Sequence, residues 1–177
     1  MNTSLSSARA DRRGRWIAVG LAFGLFAAAA SGQWAPGQPL PDLSTFGLAG
    51  LLPDSFAGRV VLVDFWASWC GPCKASFPVL DGLQKKYADR GLVVLAVSVD
   101  EKADAKDRFL AEHPVSFAVV HDLAQRLVAA AGISAMPSSF LVDRKGVIRF
   151  AHTGFKPEST PAELEREIES LLAEEHP

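Results

Sequence analysis

The chain has 177 residues, of which 49% are hydrophobic and 21% charged; this is the composition of a folded globular protein and excludes a disordered or fibrous chain. Its two cysteines are too few for a scaffold held by several disulfides or for a zinc site of cysteines alone. The formal net charge is −2, and residues 1–34 carry +3, so the remainder carries −5. An acidic body of this kind argues against nucleic acid as a partner.

The start of the chain has the pattern of an export signal. Arg12, Arg13 and Arg15 precede a run of 15 uncharged residues that ends in alanines at 28–30. This is the layout of a secretory signal with its cleavage site. Counted on to Trp34, the run reaches 19 uncharged residues, which is about the length of a membrane-spanning helix.

These features predict a chain of two parts. Residues 1–34 are a signal peptide or, through residues 16–34, a membrane anchor, and residues 35–177 form one domain. Because the positive flank stays in the cytoplasm, that domain is predicted to be periplasmic or otherwise extracytoplasmic. Residues 33–59 are rich in Pro and Gly and predict a linker that merges into short extended segments and turns.

Strands and helices then alternate. Strands are predicted where β-branched and other apolar residues run together, and helices where apolar residues recur every three or four positions. The predicted elements are a strand at 60–66, a helix at 73–87 kinked by Pro78, a strand at 92–99, a helix at 103–113, a strand at 117–120, and a helix capped by Asp122 with Leu123, Leu127 and Ala131 on one face.

The last part of the chain predicts a hairpin and a helix. Strands at 138–142 and 147–152 flank a turn. Residues 160–163 read TPAE, a capping box with Pro at the first helical position. An apolar stripe follows at Leu164, Ile168, Leu171 and Leu172. This order of elements predicts an α/β domain with helices on both faces of the sheet.

Two cysteines lie where the first strand gives way to a helix. Residues 69–74 read WCGPCK, and this spacing allows a disulfide between Cys70 and Cys73 within one turn. Pro72 suits the first helical turn, where its missing N–H is not needed. The free N–H groups and the dipole of the helix favour a thiolate on Cys70. The thiolate is the species that attacks a disulfide, so the pattern predicts Cys70 as a nucleophile.

A purely structural disulfide and a metal site are both less consistent with the sequence than a redox role for these cysteines. A disulfide between neighbours on one turn removes little entropy from the unfolded chain. A metal site needs two more ligands, and the histidines are scattered singly, at His113, His121, His152 and His176. We therefore predict no metal and no bound cofactor, the Cys70–Cys73 disulfide being itself the redox-active group.

Asp64 interrupts an apolar strand six positions before Cys70. If that strand is central, the carboxyl lies in apolar surroundings and its pKa rises. Such a carboxyl beneath the helix start can accept the proton of Cys73 and help it to attack a mixed disulfide. The alternative is an aspartate at the exposed end of a strand.

Residues 63–74, VDFWASWCGPCK, closely resemble the active-site segment of thioredoxin, and the similarity extends to Pro78, Met136–Pro137 and Thr153–Gly154. The resemblance implies the thioredoxin fold, a central mixed sheet flanked by helices. It also implies a cis peptide bond before Pro137 that faces the dithiol, with the backbone of Met136 free to pair with an extended substrate.

The remaining residues are similar to the TlpA/ResA group of the thioredoxin-like superfamily. The resemblance covers about residues 36–175, with an N-terminal extension at 36–57 and a central insert at about 101–132. Members of this group are exported or membrane-tethered bacterial thiol–disulfide oxidoreductases, which often serve cytochrome c maturation.

The sequence departs from these relatives at three positions. Ser76 stands where the TlpA/ResA group typically has a glutamate, and Asp64 stands where that group often has a neutral residue. The buried lysine that partners the acid in thioredoxin is also missing, since Ala96 aligns near it. The acid of the site is therefore expected from the strand, with a pKa set mainly by burial.

Together these features predict an enzyme, a thiol–disulfide oxidoreductase that reduces disulfides of client proteins. The predicted catalytic residues are Cys70, Cys73 and Asp64, and the predicted substrate-binding residues are Trp69, Gly71, Pro72, Met136 and Pro137, with Trp66 packed beneath. The Gly-Pro pair between the cysteines is that of thioredoxin, a low-potential reductant. An exported reductant also needs electrons from a membrane thiol donor.

Two other functions stay open at this point. A peroxiredoxin-like thiol peroxidase has a similar fold, but the residues before Cys70 lack the Pro and Thr of its Pro-x-x-x-Thr-x-x-Cys setting. A non-catalytic module that carries thiol clients or copper usually adds a His or Met near the cysteines. Met136 is available for that role, although a proline follows it.

Overall fold

The computed structural model describes Met1 and residues 33–174. The predicted signal or anchor segment therefore lies outside the described residues, apart from Met1 and its last two positions. Among the residues that are described, no helix has both the length and the apolar character needed to cross a membrane.

Strands and helices follow each other in the predicted α/β order. In chain order they are β1 (Val60–Trp66), α1 (Gly71–Tyr87), β2 (Leu92–Ser98), α2 (Ala103–Glu112), β3 (Ala118–His121), α3 (Arg126–Ala131), β4 (Ser138–Val142), β5 (Ile148–Thr153) and α4 (Thr160–Ala173). Short 3₁₀ turns at Leu43–Phe46 and Ala88–Arg90 precede β1 and follow α1.

The strands form one mixed sheet in the order β3-β2-β1-β4-β5, which confirms the predicted fold class. β1, β2 and β3 are parallel, whereas β4 and β5 are antiparallel to their neighbours. β1 is central and buried along its whole length, which explains why its apolar residues do not alternate with polar ones. Because β1 and β2 are parallel, the turn that follows β1 lies beside the residues that follow β2.

The side chains of β1 alternate between the two faces of the sheet. On one face the Trp66 ring packs against Phe77 of α1 and Phe109 of α2, with centroids 4.5 and 5.0 Å away. Asp64, two residues earlier, points to this same face. Phe65 points to the other face, where its ring centroid lies 5.6 Å from that of Trp34. Helix α1 therefore covers the face that carries Asp64.

The segment before β1 packs on the domain. Trp34 is buried between Phe65 and Phe140, and the Gly37 N–H donates to the carbonyl of Ile148 at 2.8 Å. The sequence predicts a linker over these residues. The buried indole instead makes the first of them part of the core, because a large aromatic side chain gains free energy by leaving water.

The predicted start of α3 is wrong. The helix begins at Arg126 and not directly after Asp122, and Leu123 is 56% exposed instead of lying on the buried face. The Asp122 carboxylate nevertheless accepts the N–H groups of Arg126 and Val128. It therefore caps the helix across an intervening turn.

The predicted capping box of α4 does not form. The helix begins at Thr160 after Ser159, whose side chain makes no capping bond. The Thr160 hydroxyl accepts the N–H of Lys156 at 3.0 Å instead. Because it is committed to the preceding turn, this hydroxyl does not satisfy the N–H groups of the first helical turn.

Candidate active site

Cys70 and Cys73 form a disulfide at the start of α1, with their Cα atoms 5.3 Å apart. Cys70 is the N-cap residue of this helix, and its Sγ accepts the N–H of Cys73 at 3.2 Å. The helix begins at Gly71, two residues before the predicted start, and Pro72 lies in its first turn as expected. The sulfur of Cys70 therefore lies at the positive end of the helix dipole.

The two sulfurs differ in their access to solvent. Cys70 keeps 6% of its surface exposed, whereas Cys73 is fully buried beneath the helix start. Gly71 and Pro72, between them, are exposed. Another molecule can therefore reach the disulfide only from the side of Cys70, which agrees with its predicted role as the residue that bonds to a client.

Asp100 holds the turn between β1 and the cysteines. Its carboxylate accepts the backbone N–H of Ser68 at 3.0 and 3.1 Å and the Ser68 hydroxyl at 2.7 Å. It also accepts the Ser98 hydroxyl at 2.9 Å. Asp100 is buried, so these bonds fix the conformation of the turn that presents Trp69 and Cys70.

A buried histidine completes this network. Nε2 of His121 lies 2.6 Å from the carbonyl oxygen of Asp100; since a carbonyl only accepts, this nitrogen carries the hydrogen. The sequence patterns do not predict Asp100 and His121 as parts of the site. Their positions could have indicated this role, because Asp100 follows β2 and His121 ends β3. The ends of neighbouring parallel strands meet at one edge of the sheet.

Asp64 is fully buried in β1. Its Oδ1 accepts the hydroxyl of Ser139 on β4 at 2.6 Å, and its Oδ2 is buried without a hydrogen-bond partner among the described residues. Burial raises the pKa of Asp64 to about 7, while the hydrogen bond from Ser139 acts in the opposite direction. The alternative of an exposed aspartate is therefore wrong, and the expected rise in pKa is confirmed.

The surroundings of Asp64 match the departures seen in the sequence. Its neighbour on β2 is Ala96, so no lysine pairs with it from that strand. Ser76 is buried, and its hydroxyl donates to the carbonyl of Cys73 at 2.9 Å. The position where relatives have a glutamate thus carries a side chain that is hydrogen-bonded to its own helix. Asp64 remains as a fully buried acid on the face of the sheet that α1 covers.

The Met136–Pro137 peptide bond is cis, as the resemblance implies. Pro137 is buried, and its carbonyl accepts the N–H of Gly154 at 2.7 Å. This bond joins two of the segments in which the sequence resembles thioredoxin.

A groove of about 900 Å³ opens beside Trp69, the residue before Cys70, and neither cysteine lines it. Trp69, which is 68% exposed, and Met136 both line it, together with Val128 from the central insert and Ile133 just after the insert. The structure thus brings two of the predicted substrate-binding residues onto one surface. The other three lie outside the lining of the groove: Gly71 and Pro72 are at the exposed start of α1, and Pro137 is buried.

No group of three or more His, Cys, Asp or Glu side chains in the described part of the chain is arranged to hold a metal ion. Of the histidines named from the sequence, His121 and His152 are engaged in the hydrogen bonds to Asp100 and Glu167. His176 lies outside the described residues. The absence of a cofactor stays a prediction.

The chain is similar to several known proteins. The Redoxin family model matches residues 35–168. The thiol-disulfide oxidoreductase ResA of Geobacillus kaustophilus is 31% identical over 144 residues, which cover 81% of this chain and 79% of that protein. The thioredoxin-like protein YneN of Bacillus subtilis is 34% identical over 139 residues, 75% of this chain and 78% of that protein.

A similar fold occurs among solved structures. A crystal structure of a thiol:disulfide interchange protein DsbE from Chlorobium tepidum superposes with a TM-score of 0.74 and 38% sequence identity. The match covers 80% of this chain and 100% of that one. This agreement confirms the thioredoxin-like fold predicted from the sequence.

Proposed function

Because the chain belongs to the Redoxin family and is a thiol–disulfide oxidoreductase of the TlpA/ResA type, we propose that it reduces disulfides of client proteins outside the cytoplasm. The observation that supports this proposal is the asymmetry of the dithiol. Cys70 keeps part of its surface exposed, lies at a helix N-terminus and directly follows Trp69 of the groove, whereas Cys73 is fully buried in α1.

The first step is the attack of Cys70 on the client. In the reduced protein, the Cys70 thiolate attacks one sulfur of the client disulfide, the client S–S bond breaks, and the second client sulfur leaves with the electron pair. Trp69 and Met136 contact the client chain beside the reacting sulfur. The product is a mixed disulfide between Cys70 and the client.

The second step releases the client. Cys73 passes its proton to Asp64, directly or through a bound water, and its thiolate attacks the sulfur of Cys70. The bond from Cys70 to the client breaks, and the departing client sulfur takes the electron pair and a proton. The client has gained two electrons and the protein holds the Cys70–Cys73 disulfide, so each turnover requires a reductant.

Two features of the sequence support the direction and the place of this reaction. The Gly71–Pro72 pair is that of thioredoxin, which is a reductant with a potential of about −270 mV. The arginines and uncharged run within residues 12–34 have the pattern of an export signal. An exported protein lies away from the cytoplasmic thiols, so we propose a membrane thiol as its electron donor and clients that include proteins of cytochrome c maturation.

Trapping of clients with a resolving-cysteine variant tests this function. In cells, Cys73→Ala is expected to accumulate mixed disulfides with exported proteins, because the variant attacks but does not release its clients. The double variant Cys70→Ala/Cys73→Ala is the control and is expected to trap nothing. The reduction potential of the purified protein is expected to be closer to that of thioredoxin, about −270 mV, than to that of DsbA, about −120 mV.

Two results would contradict the proposal. A reduction potential near that of DsbA would reverse the direction of electron flow. Rapid consumption of peroxide by the reduced protein, with no client trapped by Cys73→Ala, would favour the peroxiredoxin-like function.

A further inference from the structure

The two oxygens of the Asp64 carboxyl have different surroundings. Oδ1 accepts the Ser139 hydroxyl at 2.6 Å, while Oδ2 has no hydrogen-bond partner among the described residues. Asp64 and Ser139 lie directly opposite each other in the antiparallel register of β1 and β4. The sheet itself therefore holds the hydroxyl against one oxygen and leaves the other oxygen free to take a proton.

We propose that Ser139 is a positioning residue for proton transfer: its hydroxyl holds Oδ1 of Asp64 and leaves Oδ2 to accept the proton of the Cys73 thiol. This inference rests on the proposed function. As Oδ2 takes the proton, the Cys73 sulfur bonds to the sulfur of Cys70 and the bond from Cys70 to the client breaks. The client sulfur leaves with the electron pair and receives the proton from Oδ2, so atoms and electrons balance.

The hydrogen bond also sets the pH range in which Asp64 works. A donor that is held against a carboxylate stabilises its charged form. Without the Ser139 hydroxyl, burial acts unopposed and the carboxyl keeps its proton to higher pH. A hydrogen bond to a charged group is strong enough to move the midpoint of such a titration by about one pH unit.

Other titratable groups lie on the elements packed against this face. On α1 they are Cys73, Lys74, Asp81, Lys85, Lys86 and Tyr87; on α2, Asp104, Lys106, Asp107, Arg108 and Glu112; on β5, Arg149 and His152; and on α4, Glu163, Glu165, Arg166, Glu167 and Glu169. Tyr87 donates to Glu165 and Glu169, and the Lys74 ammonium lies over the Phe109 ring. His152 lies opposite Ser139 on β5 and forms a hydrogen bond with Glu167. The effect of this imidazole on the pH profile therefore needs a separate control variant.

The test follows the resolution step with a small probe. Reduced protein is mixed with dithiobis(nitrobenzoate), which releases one thionitrobenzoate when Cys70 attacks and a second when Cys73 resolves the mixed disulfide. The rate of the second release is measured against pH. Ser139→Ala is expected to move the midpoint of that profile upward by about one pH unit.

Two control variants are expected to leave the midpoint where it is. Ser138→Ala removes the neighbouring hydroxyl, which donates to the carbonyl of Ala135 at 2.8 Å and lies on the opposite face of the sheet from Ser139. His152→Gln removes the imidazole across from Ser139. A merely structural role of Ser139 would lower the rate equally at every pH.

The isosteric pair Ser139→Thr and Ser139→Val gives a second comparison if the alanine variant does not fold. The threonine keeps the hydroxyl and is expected to keep the wild-type midpoint, whereas the valine is expected to show the upward movement. Carbon-13 NMR titration of Asp64 in the oxidised variants measures the same effect without catalysis. An unmoved midpoint in the variants without the hydroxyl would overturn the role of Ser139, whereas failure of the wild type to release the second thionitrobenzoate would overturn the proposed function itself.

Discussion

Cys70→Ser is expected to lower the reduction of protein disulfides by about a thousandfold or more, as the loss of a covalent nucleophile does in other enzymes. The remaining thiol, Cys73, is fully buried and does not reach a client sulfur. Cys73→Ser is expected to keep the rate of the first attack within about a few-fold, since Cys70 keeps its place as N-cap of α1. Reduction of insulin and the first release of thionitrobenzoate measure the two effects.

The two serine variants are matched controls for each other, because each removes one sulfur and keeps a hydroxyl of similar size. The expected outcome is one thionitrobenzoate released per molecule of Cys73→Ser and a very slow reaction of Cys70→Ser. Equal rates of first attack for both variants would mean that the dithiol is symmetric, contrary to the burial of Cys73.

Asp64→Asn is expected to stabilise the oxidised protein at alkaline pH. Burial raises the pKa of this aspartate from its ordinary 3.8 to about 7 in the folded protein. At a pH above both values, this difference lowers the free energy of unfolding by about 4 kcal/mol. Well below pH 3.8 the carboxyl is protonated in both the folded and the unfolded state, and the difference in pKa does not affect stability. As the pH rises to about 7, the unfolded chain loses its proton first, so folding becomes progressively less favourable. Asparagine does not titrate and escapes this loss.

Denaturant unfolding of the oxidised protein at about pH 4 and about pH 8.5 measures the effect. The difference between variant and wild type is expected to be small at the lower pH and to approach about 4 kcal/mol at the higher pH. Asp143→Asn is a control, because the pH dependence of its effect on unfolding free energy is expected to run in the opposite direction. Burial raises the pKa of Asp143, but hydrogen bonds from Val147, Arg149 and Lys145 outweigh burial and hold it below its ordinary value. If Asp64→Asn raised the free energy of unfolding equally at both pH values, the raised pKa of a buried Asp64 carboxyl would be contradicted.

The same substitution is expected to slow the release of a client. Without a group that takes the Cys73 proton, resolution of the mixed disulfide should fall by about a hundredfold, while the first attack by Cys70 stays nearly unchanged. The two phases of thionitrobenzoate release separate these effects. Equal resolution rates for Asp64→Asn and the wild type would remove Asp64 from the mechanism.

The features that the sequence predicts well are encoded over short distances along the chain. β1 follows from an unbroken apolar run, because a central parallel strand is buried on both faces. The cysteine pair follows from its spacing and from Pro72, which both fit the first turn of a helix. The burial of Asp64 follows from its place inside that apolar run.

The features that the sequence does not predict depend on which strands become neighbours. Ser139 contacts Asp64 only because β4 pairs with β1 in one register, which local patterns do not specify. Asp100 contacts Ser68 because the ends of β1 and β2 meet. Trp34 reads as part of a linker until the aromatic residues that cover it are known.

The state of the Cys70 thiol tests the proposed mechanism most directly. In Cys73→Ser only one thiol titrates, and the ultraviolet absorbance of the thiolate reports its charge. Cys70 caps α1 and its sulfur accepts the Cys73 N–H. We therefore expect the pKa of the Cys70 thiol to lie well below that of free cysteine, which is about 8.5. Titration at about 8.5 or above would contradict the assignment of Cys70 as an activated nucleophile.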